Sequence, residues 1–119
     1  MISRDSIIAI LEKYYASVDD QQLEILFSLF HQDIVYTRGS QTIEGMDAFK
    51  RFYQEGRVIH KGRHTLHHIL VDYPGAAIQG HFSGILKDGE AVEIEFADFF
   101  RFEKGKIIWR ETYFQGREV

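Results

Sequence analysis

The sequence contains no cysteine, which excludes a disulfide framework, a thiolate zinc site and a cysteine nucleophile. It contains a single proline among 119 residues, so a proline-rich linker between domains is not expected. A chain of this length typically forms one domain and buries roughly 65% of its unfolded surface. We therefore predict a single domain over residues 1–119.

Long apolar runs and an excess of basic residues are also missing. No stretch of about 20 apolar residues occurs, and the N-terminus lacks the basic start and apolar segment of a signal peptide. The formal net charge is −4, which argues against nucleic acid as the main partner because phosphate neutralisation needs a basic surface. We expect a cytoplasmic protein that binds no membrane and no nucleic acid, with a small molecule or a protein as its partner.

The first half of the chain has helical periodicity. Apolar residues over 7–18 recur on one stripe of a helix. Within it, Tyr14 and Tyr15 point about 100° apart, so only one of them can face a cavity squarely. Asp19 is predicted to cap a second helix, with Gln22 three residues further on.

Two more helices are predicted before the strands begin. The second has an apolar face that runs from Leu23 to Phe30. The third follows Gly45 and ends at Gly56, a residue type that commonly stops a helix.

From residue 64 onward the apolar period changes to two, which is typical of strands. The long predicted strands cover residues 64–72, 76–86, 91–103 and 106–115, after short ones at 34–37 and 41–43. Their turns contain Gly75, Gly89 and Gly105, where we expect positive φ. Such short turns make consecutive strands antiparallel. Helices followed by a bent sheet of long strands predict an α+β fold with a cavity on the concave side.

Segments along nearly the whole chain resemble one known group of proteins. They are Tyr14 on the first helix, residues 23–30, Glu44-Gly45 before Phe52-Tyr53, Asp98-Phe99-Phe100-Arg101-Phe102 and Gly105-Lys106-Ile107. The chain resembles the nuclear transport factor 2-like superfamily, and within it the SnoaL-like and ketosteroid-isomerase-like branch. The resemblance implies a cone-shaped α+β barrel of three helices on a strongly curved antiparallel sheet, usually dimeric. This fold hosts isomerases, dehydratases, cyclases, epoxide hydrolases and non-catalytic modules.

The resemblance also implies roles for individual residues. Tyr14 and a protonated Asp98 would donate hydrogen bonds to a forming enolate oxygen, and Tyr53 would hydrogen-bond Tyr14. The general base of the isomerases falls on Arg38, which cannot accept a proton at working pH. Steroid isomerisation is therefore not expected. Arg38 would either bind a substrate carboxylate or remain a solvated charge.

Two interpretations of Asp98 follow from its neighbours. Phe96 and Phe100 share its strand face, and an apolar environment raises the pKa of a carboxyl group. A neutral acid there could polarise a substrate carbonyl. Alternatively, Asp98 is buried only to accept hydrogen bonds, from Tyr14 or from a backbone N–H, that hold the fold together.

Histidines are the candidates to replace the missing base, because their pKa lies near neutral pH. The resemblance places the face of His81 and Ser83 on the cavity, so His81 is the first choice and His64 the second. The alternative places His81 on a solvated or interface face. For His67 and His68 we expect no site, because adjacent strand residues point to opposite faces.

Metal and cofactor sites are not predicted. His60, His64 and His68 form no recognised ligand signature, and a zinc site needs three or four convergent ligands. The proton-transfer chemistry that the resemblance implies needs no cofactor.

The remaining aromatic residues are assigned by strand face. The family pattern places Thr112 and Phe114 in the cavity, where Phe96, Phe100, Ser83 and His64 would also contact a substrate. On the opposite face Ile107, Trp109 and Tyr113 lie together. The exposed aromatic residues Phe99, Trp109 and Tyr113 predict a homodimer through the convex side of the sheet.

Two functions from different classes remain open. The first is an isomerase, dehydratase or polyketide-cyclase type of enzyme that acts on an enolisable carbonyl compound in a hydrophobic pocket. The second is a non-catalytic ligand-binding or dimerisation domain. Convergence of Tyr14, Asp98 and His81 on one cavity would favour the enzyme.

Overall fold

The computed structural model describes residues 2–116 and 119, so Met1, Arg117 and Glu118 of the predicted domain lie outside the described residues. Its elements in chain order are α1 (Arg4–Asp19), α2 (Leu23–Ser28), β1 (Phe30–Arg38), β2 (Gln41–Glu44), α3 (Met46–Arg51), a π-helical turn (Phe52–Gly56), β3 (Ile59–Asp72), β4 (Gly75–Leu86), β5 (Ala91–Glu103) and β6 (Lys106–Gln115). The predicted α+β class, with helices packed on a curved sheet, is confirmed. Over the described part of the chain, no helix has the length and apolar character needed to span a membrane.

The six strands form one sheet in the order β2-β1-β6-β5-β4-β3. Strands β3 to β6 form the antiparallel meander that their short turns dictate. Strand β1 instead pairs in parallel with β6. This parallel pair differs from the expectation of a fully antiparallel sheet. The two strands are far apart in sequence, so no hairpin turn constrains their relative direction.

Helix α1 supplies the largest apolar stripe. Ser3 caps its N-terminus by accepting a hydrogen bond from the Ser6 N–H. Ile7 and Leu11 are completely buried against the sheet, and burying each such side chain contributes about 1.5–3 kcal/mol. The stripe therefore fixes the rotation of α1, which turns its two tyrosines toward the sheet.

Three local predictions were wrong. Helix α2 ends at Ser28, so Phe30 begins β1 and pairs with Ile107 of β6 instead of continuing the helix. The residue at the N-cap of α2 is Gln22, whose side chain forms no capping hydrogen bond. The predicted cap, Asp19, binds His64 instead. Gly75 opens β4 without positive φ, whereas Gly89 and Gly105 have φ of 92° and 76°.

Glycines on β3 and β4 make room for two phenylalanine rings on the inner face. A Cβ at Gly62 or Gly84 would lie 2.3 or 2.5 Å from the ring of Phe82. A Cβ at Gly80 would lie 2.9 Å from the ring of Phe96. The rings of Phe82 and Phe96 can therefore lie against the backbone of the curved sheet.

Gly62→Ala tests this arrangement. The added methyl group overlaps the ring of Phe82, so we expect a loss of about 1–3 kcal/mol in the free energy of unfolding, measured by urea titration. Lys61→Ala, at an exposed position of the same strand, is the control and should change stability little. Equal stability of the two variants would contradict the packing argument.

Aromatic residues also lie on the outer, convex face of the sheet. Phe99 is 43% exposed and Tyr113 54% exposed, with ring centroids 5.8 Å apart. Ile107, predicted on this face, is completely buried. The strand register skips Ile108, because Phe102 pairs with Ile107 and Arg101 with Trp109. Such a bulge turns the residues that precede it to the opposite face of the sheet, so Ile107 points inward.

The dimer through this face stays a prediction with a direct test. We expect the protein to be dimeric by light scattering and the double variant F99E/Y113E to be monomeric, because buried like charges oppose association. Ile25→Glu changes a 38% exposed residue of α2 and should leave the dimer intact. A monomeric parent protein would refute the predicted interface.

Candidate functional site

A cavity opens between the helices and the concave face of the sheet. About 30 Å³ of it is open to the centre of a water molecule, and its atom-free space including the mouth is about 410 Å³. It is lined by Tyr14, Val18, Tyr36, Arg38, Tyr53, Arg57, Ile59, His64, Phe82, Ile94, Phe96, Arg110, Thr112, Phe114 and Val119. The lining combines apolar side chains with hydroxyl, imidazole and guanidinium groups, and a cavity with convergent polar groups is a candidate small-molecule site.

Asp98 lies behind this cavity as part of a buried ion pair. Its side chain is completely buried, and its Oδ2 lies 2.7 Å from Arg110 Nη2. Thr112 Oγ1 donates to its Oδ1 at 2.5 Å, and the Tyr15 hydroxyl donates to Oδ2. The guanidinium and these two hydroxyl groups all donate to Asp98, so its side chain is the hydrogen-bond acceptor of this network.

The expectation that Asp98 donates a hydrogen bond to a substrate was therefore wrong. It overlooked Arg110, whose guanidinium can only donate and occupies a carboxylate oxygen of Asp98. The antiparallel register pairs Asp98 with Thr112 and Phe100 with Arg110, which places Arg110 beside the carboxylate. The signal was present in the sequence, because Arg110 shares a strand face with Thr112 and Phe114.

Aromatic rings surround the Arg110 guanidinium. Its central carbon lies 4.5 Å from the ring centroid of Tyr36 and 4.8 Å from that of Tyr14, within cation–π distance. Burial alone would lower the pKa of Arg110, but the Asp98 charge, followed by the neighbouring tyrosines, raises it well above the usual value. Arg110 is thus a permanent charge, and its Nε has no hydrogen-bond partner among the described residues.

Two tyrosine hydroxyls meet at the edge of this ion pair. Tyr14 and Tyr53 lie 2.5 Å apart, oxygen to oxygen, the contact that the resemblance implies. Arg110 Nη1 donates to the Tyr14 hydroxyl and lies 3.3 Å from that of Tyr53. Burial raises the pKa of Tyr14 well above its usual value, although Arg110 opposes this. Tyr14 therefore remains a protonated hydroxyl that can act as a donor.

Tyr15 faces inward from the neighbouring position of α1. Its hydroxyl reaches Asp98, and its side chain is 2% exposed. It does not line the cavity, as expected when only one of the two tyrosines can face it. Adjacent residues of one helix thus bind the two halves of the ion pair, Tyr14 the guanidinium and Tyr15 the carboxylate.

His64 forms a second polar pair on the cavity wall, with Asp19 at the end of α1. His64 Nδ1 lies 2.6 Å from Asp19 Oδ1, and the His64 backbone N–H donates to Oδ2 at 2.8 Å. Since a carboxylate accepts the Nδ1 proton, we assign the tautomer with an unprotonated Nε2. Burial lowers the pKa of His64 even though Asp19 opposes the shift. His64 is therefore neutral and basic at neutral pH.

Arg38 and Arg57 complete the polar lining. Arg38 is 7% exposed, so the alternative of a solvated charge was wrong. Its Nη1 donates to the Tyr36 hydroxyl at 2.7 Å. Tyr36 lies 3.2 Å from Thr112 Oγ1, and because that hydroxyl gives its proton to Asp98, Tyr36 is the donor. Sequence reasoning missed Arg57, because this residue lies in the connection between the π-helical turn and β3, outside the periodic patterns of helices and strands.

His81 and Ser83 were assigned to the wrong face of β4. They lie on the convex side, where His81 Nε2 is 2.7 Å from Glu93 Oε1 and Ser83 Oγ is 2.5 Å from Glu93 Oε2. The inward face carries Ile78 and Phe82 instead. The alternation of these apolar residues along β4 indicates which side chains point inward, and it would have placed His81 and Ser83 on the convex face.

Of the other predicted site residues, some line the cavity and some do not. Phe96, Thr112 and Phe114 line the cavity as expected. Phe100 does not, because its ring packs behind Arg110 at 5.7 Å. The exposed residues His60, His67 and His68 do not line the cavity. A bulge between Leu66 and His68 leaves both His67 and His68 exposed.

No group of three or more histidine, aspartate or glutamate side chains among the described residues could hold a metal ion. Tyr14, Tyr53, His64 and Arg38 converge on the cavity, whereas Asp98 lies behind it and His81 on the far side of the sheet.

The sequence profile of the SnoaL-like domain matches residues 11–110. The chain belongs to the SnoaL-like domain family. No curated protein sequence matches this SnoaL-like chain. Solved structures share its fold at low sequence identity.

A nuclear transport factor 2-like protein of unknown function from Burkholderia pseudomallei K96243 is 16% identical, with a TM-score of 0.85 over 96% of this chain and 92% of that one. An LEH-like epoxide hydrolase from M. tuberculosis is 16% identical, with a TM-score of 0.83 over 93% and 84%. TerC co-crystallised with polyporic acid is 18% identical, with a TM-score of 0.81 over 92% of each chain. Identities this low show the fold alone.

Asp98→Asn tests the buried ion pair. Removing the carboxylate leaves the Arg110 charge buried and unpaired, so we expect a loss of about 3–5 kcal/mol in the free energy of unfolding. The apolar double variant D98L/R110M, with no buried charge left, should be more stable than Asp98→Asn alone. Glu93→Gln, which removes an exposed contact of His81, should change stability little. Unchanged stability of Asp98→Asn would contradict the account.

Proposed function

We propose that this SnoaL-like protein is a cofactor-free enzyme that transfers a proton on an enolisable carbonyl compound. The observation that supports this most is that a neutral histidine and a charge-supported tyrosine hydroxyl line one cavity. His64 is held by Asp19 at 2.6 Å, and Tyr14 is contacted by both Arg110 and Tyr53. A positioned base facing a preorganised donor is the arrangement that enolisation requires.

In the proposed step the substrate carbonyl oxygen accepts a hydrogen bond from the Tyr14 hydroxyl. His64 Nε2 takes a proton from the adjacent carbon, the C–H electron pair forms the enolate C=C bond, and the carbonyl π pair moves to oxygen. Arg110 stabilises the negative oxygen through Tyr14, and Asp19 stabilises the His64 imidazolium. No electrons leave the substrate, so the step balances without an oxidant or reductant.

The fate of the enolate decides the reaction type. Return of the proton from His64 to another carbon gives isomerisation. Expulsion of a β-hydroxyl group gives dehydration, with the His64 proton leaving in water. Attack of the enolate carbon on a second carbonyl of the same molecule gives aldol-type cyclisation. All three use the same base and the same oxyanion donors.

Deuterium exchange tests the step without knowledge of the natural substrate. We expect the protein to accelerate exchange of the α-protons of cyclohexanone or pentane-2,4-dione in D₂O, followed by NMR. His64→Gln should lower the rate about 10²–10⁴-fold and Tyr14→Phe about 10²–10³-fold. Because burial lowers the pKa of His64, the base stays neutral to lower pH than an ordinary histidine. The acidic fall in rate should therefore lie below about pH 6.5.

His81→Gln is the matched control, since it removes a histidine from the convex face, and its exchange rate should equal that of the parent protein. Exchange no faster than in buffer, or an unchanged rate for His64→Gln in a folded protein, would refute the proposed enzyme.

A non-catalytic ligand-binding domain is the second candidate. Two observations favour it: Arg38 occupies the position of the isomerase base, and Asp98 is bound in an ion pair with Arg110. In that case the cavity would bind a ligand, detected as a raised melting temperature, without accelerating exchange.

A further inference from the structure

The cavity contains more positive than negative charge. Three arginines line it, Arg38, Arg57 and Arg110. Asp98 balances the charge of Arg110 at 2.7 Å. Among the described residues, no carboxylate lies within 4.0 Å of a guanidinium nitrogen of Arg38 or Arg57.

The Arg38 and Arg57 guanidinium groups lie against aromatic rings. The central carbon of Arg38 lies 4.6 Å from the ring centroid of Phe52, and that of Arg57 lies 5.7 Å from the ring centroid of Tyr53. A guanidinium carries five N–H donors in a planar fork. Within residues 2–116 and 119, Arg38 donates one side-chain hydrogen bond, to Tyr36 at 2.7 Å, so donors remain for a ligand in this part of the chain.

Holding these charges together is costly without an anion. Burial lowers the pKa of Arg57, and the nearby charge of Arg38 lowers it further. The two acids bound to residues of the cavity wall do not pair with Arg38 or Arg57, since Asp19 is bound to His64 and Asp98 to Arg110. A ligand anion that contacts both guanidinium groups would offset the desolvation cost of the two positive charges and reduce the repulsion between them.

We infer that the cavity selects a small oxo-carboxylate, whose carboxylate group binds Arg38 and Arg57 while its enolisable carbonyl faces Tyr14. The planar fork of arginine matches a carboxylate with two parallel hydrogen bonds. The atom-free space of the cavity, about 410 Å³ including its mouth, lies toward the lower end of the range for small-molecule sites and favours a short-chain acid. The carbonyl assignment rests on the proposed function, whereas the carboxylate assignment rests on the arginines alone.

Calorimetric titration separates charge from shape. The probes are 4-oxopentanoate and its neutral methyl ester, with inorganic phosphate as a non-carboxylate anion. We expect the acid to bind about 10- to 100-fold more tightly than the ester, as expected for charge-assisted hydrogen bonds, and more tightly than phosphate. Arg38→Met retains an unbranched chain against Phe52 and should abolish the preference for the acid while leaving ester binding unchanged.

Arg63→Met is the control, because it removes an exposed positive charge from β3 outside the cavity and should preserve the preference. Equal affinity for acid and ester, no binding of the acid, phosphate binding as tight as the acid, or an unchanged preference in Arg38→Met would each overturn the inference.

The outcomes distinguish this inference from the proposed function. His64→Gln should still prefer the acid, because the base takes no part in carboxylate binding. Preference for the acid without deuterium exchange would support the anion site and refute only the enzyme. Exchange of neutral ketones without preference for the acid would support the enzyme and refute only the anion site.

Discussion

The buried pair of Asp98 and Arg110 is the interaction on which the interior depends. It joins neighbouring strands, β5 and β6, in a place where Asp98 is completely buried and Arg110 almost completely. Burying two charges costs several kcal/mol each, so such a pair persists only when its remaining polar atoms are satisfied. Thr112 and Tyr15 satisfy the carboxylate. Tyrosine hydroxyls and rings surround the guanidinium, and among the described side chains Arg110 Nε alone is left buried without a hydrogen-bond partner. The core is organised around this charge rather than around apolar packing alone.

The same pair connects the helix layer to the sheet. Helix α1 is held by its apolar stripe, and in addition Tyr14 and Tyr15 reach the guanidinium and the carboxylate respectively. Tyr53 joins the network from the π-helical turn. A rotation of α1 would break both contacts at once, so the position of the Tyr14 hydroxyl at the cavity is determined by charges behind it. Preorganised donors of this kind need no rearrangement when negative charge develops on a ligand.

Other residues that line the cavity have a different character. His64 and Asp19 form a pair separate from the buried ion pair. Arg38 and Arg57 provide positive charge without carboxylate partners among the described residues. In the proposed enzyme, one cavity would combine a base, an oxyanion donor and an anion-binding pair. These are distinct chemical tasks, and the proposed residues for them come from different elements of the fold.

Local features of this protein were determined by the sequence itself. The stripe of α1 and the hairpin turns at Gly89 and Gly105 followed from periodicity and turn residues, because short-range geometry controls them. The contact of Tyr14 with Tyr53, residues distant in the sequence, was implied only by the resemblance. The partnership of Asp98 with Arg110, the binding of His64 by Asp19 and the facing of His81 were decided only by the tertiary structure. Strand register and bulges bring such residues together from distant positions, and a shift of one residue turns a side chain to the other face of the sheet.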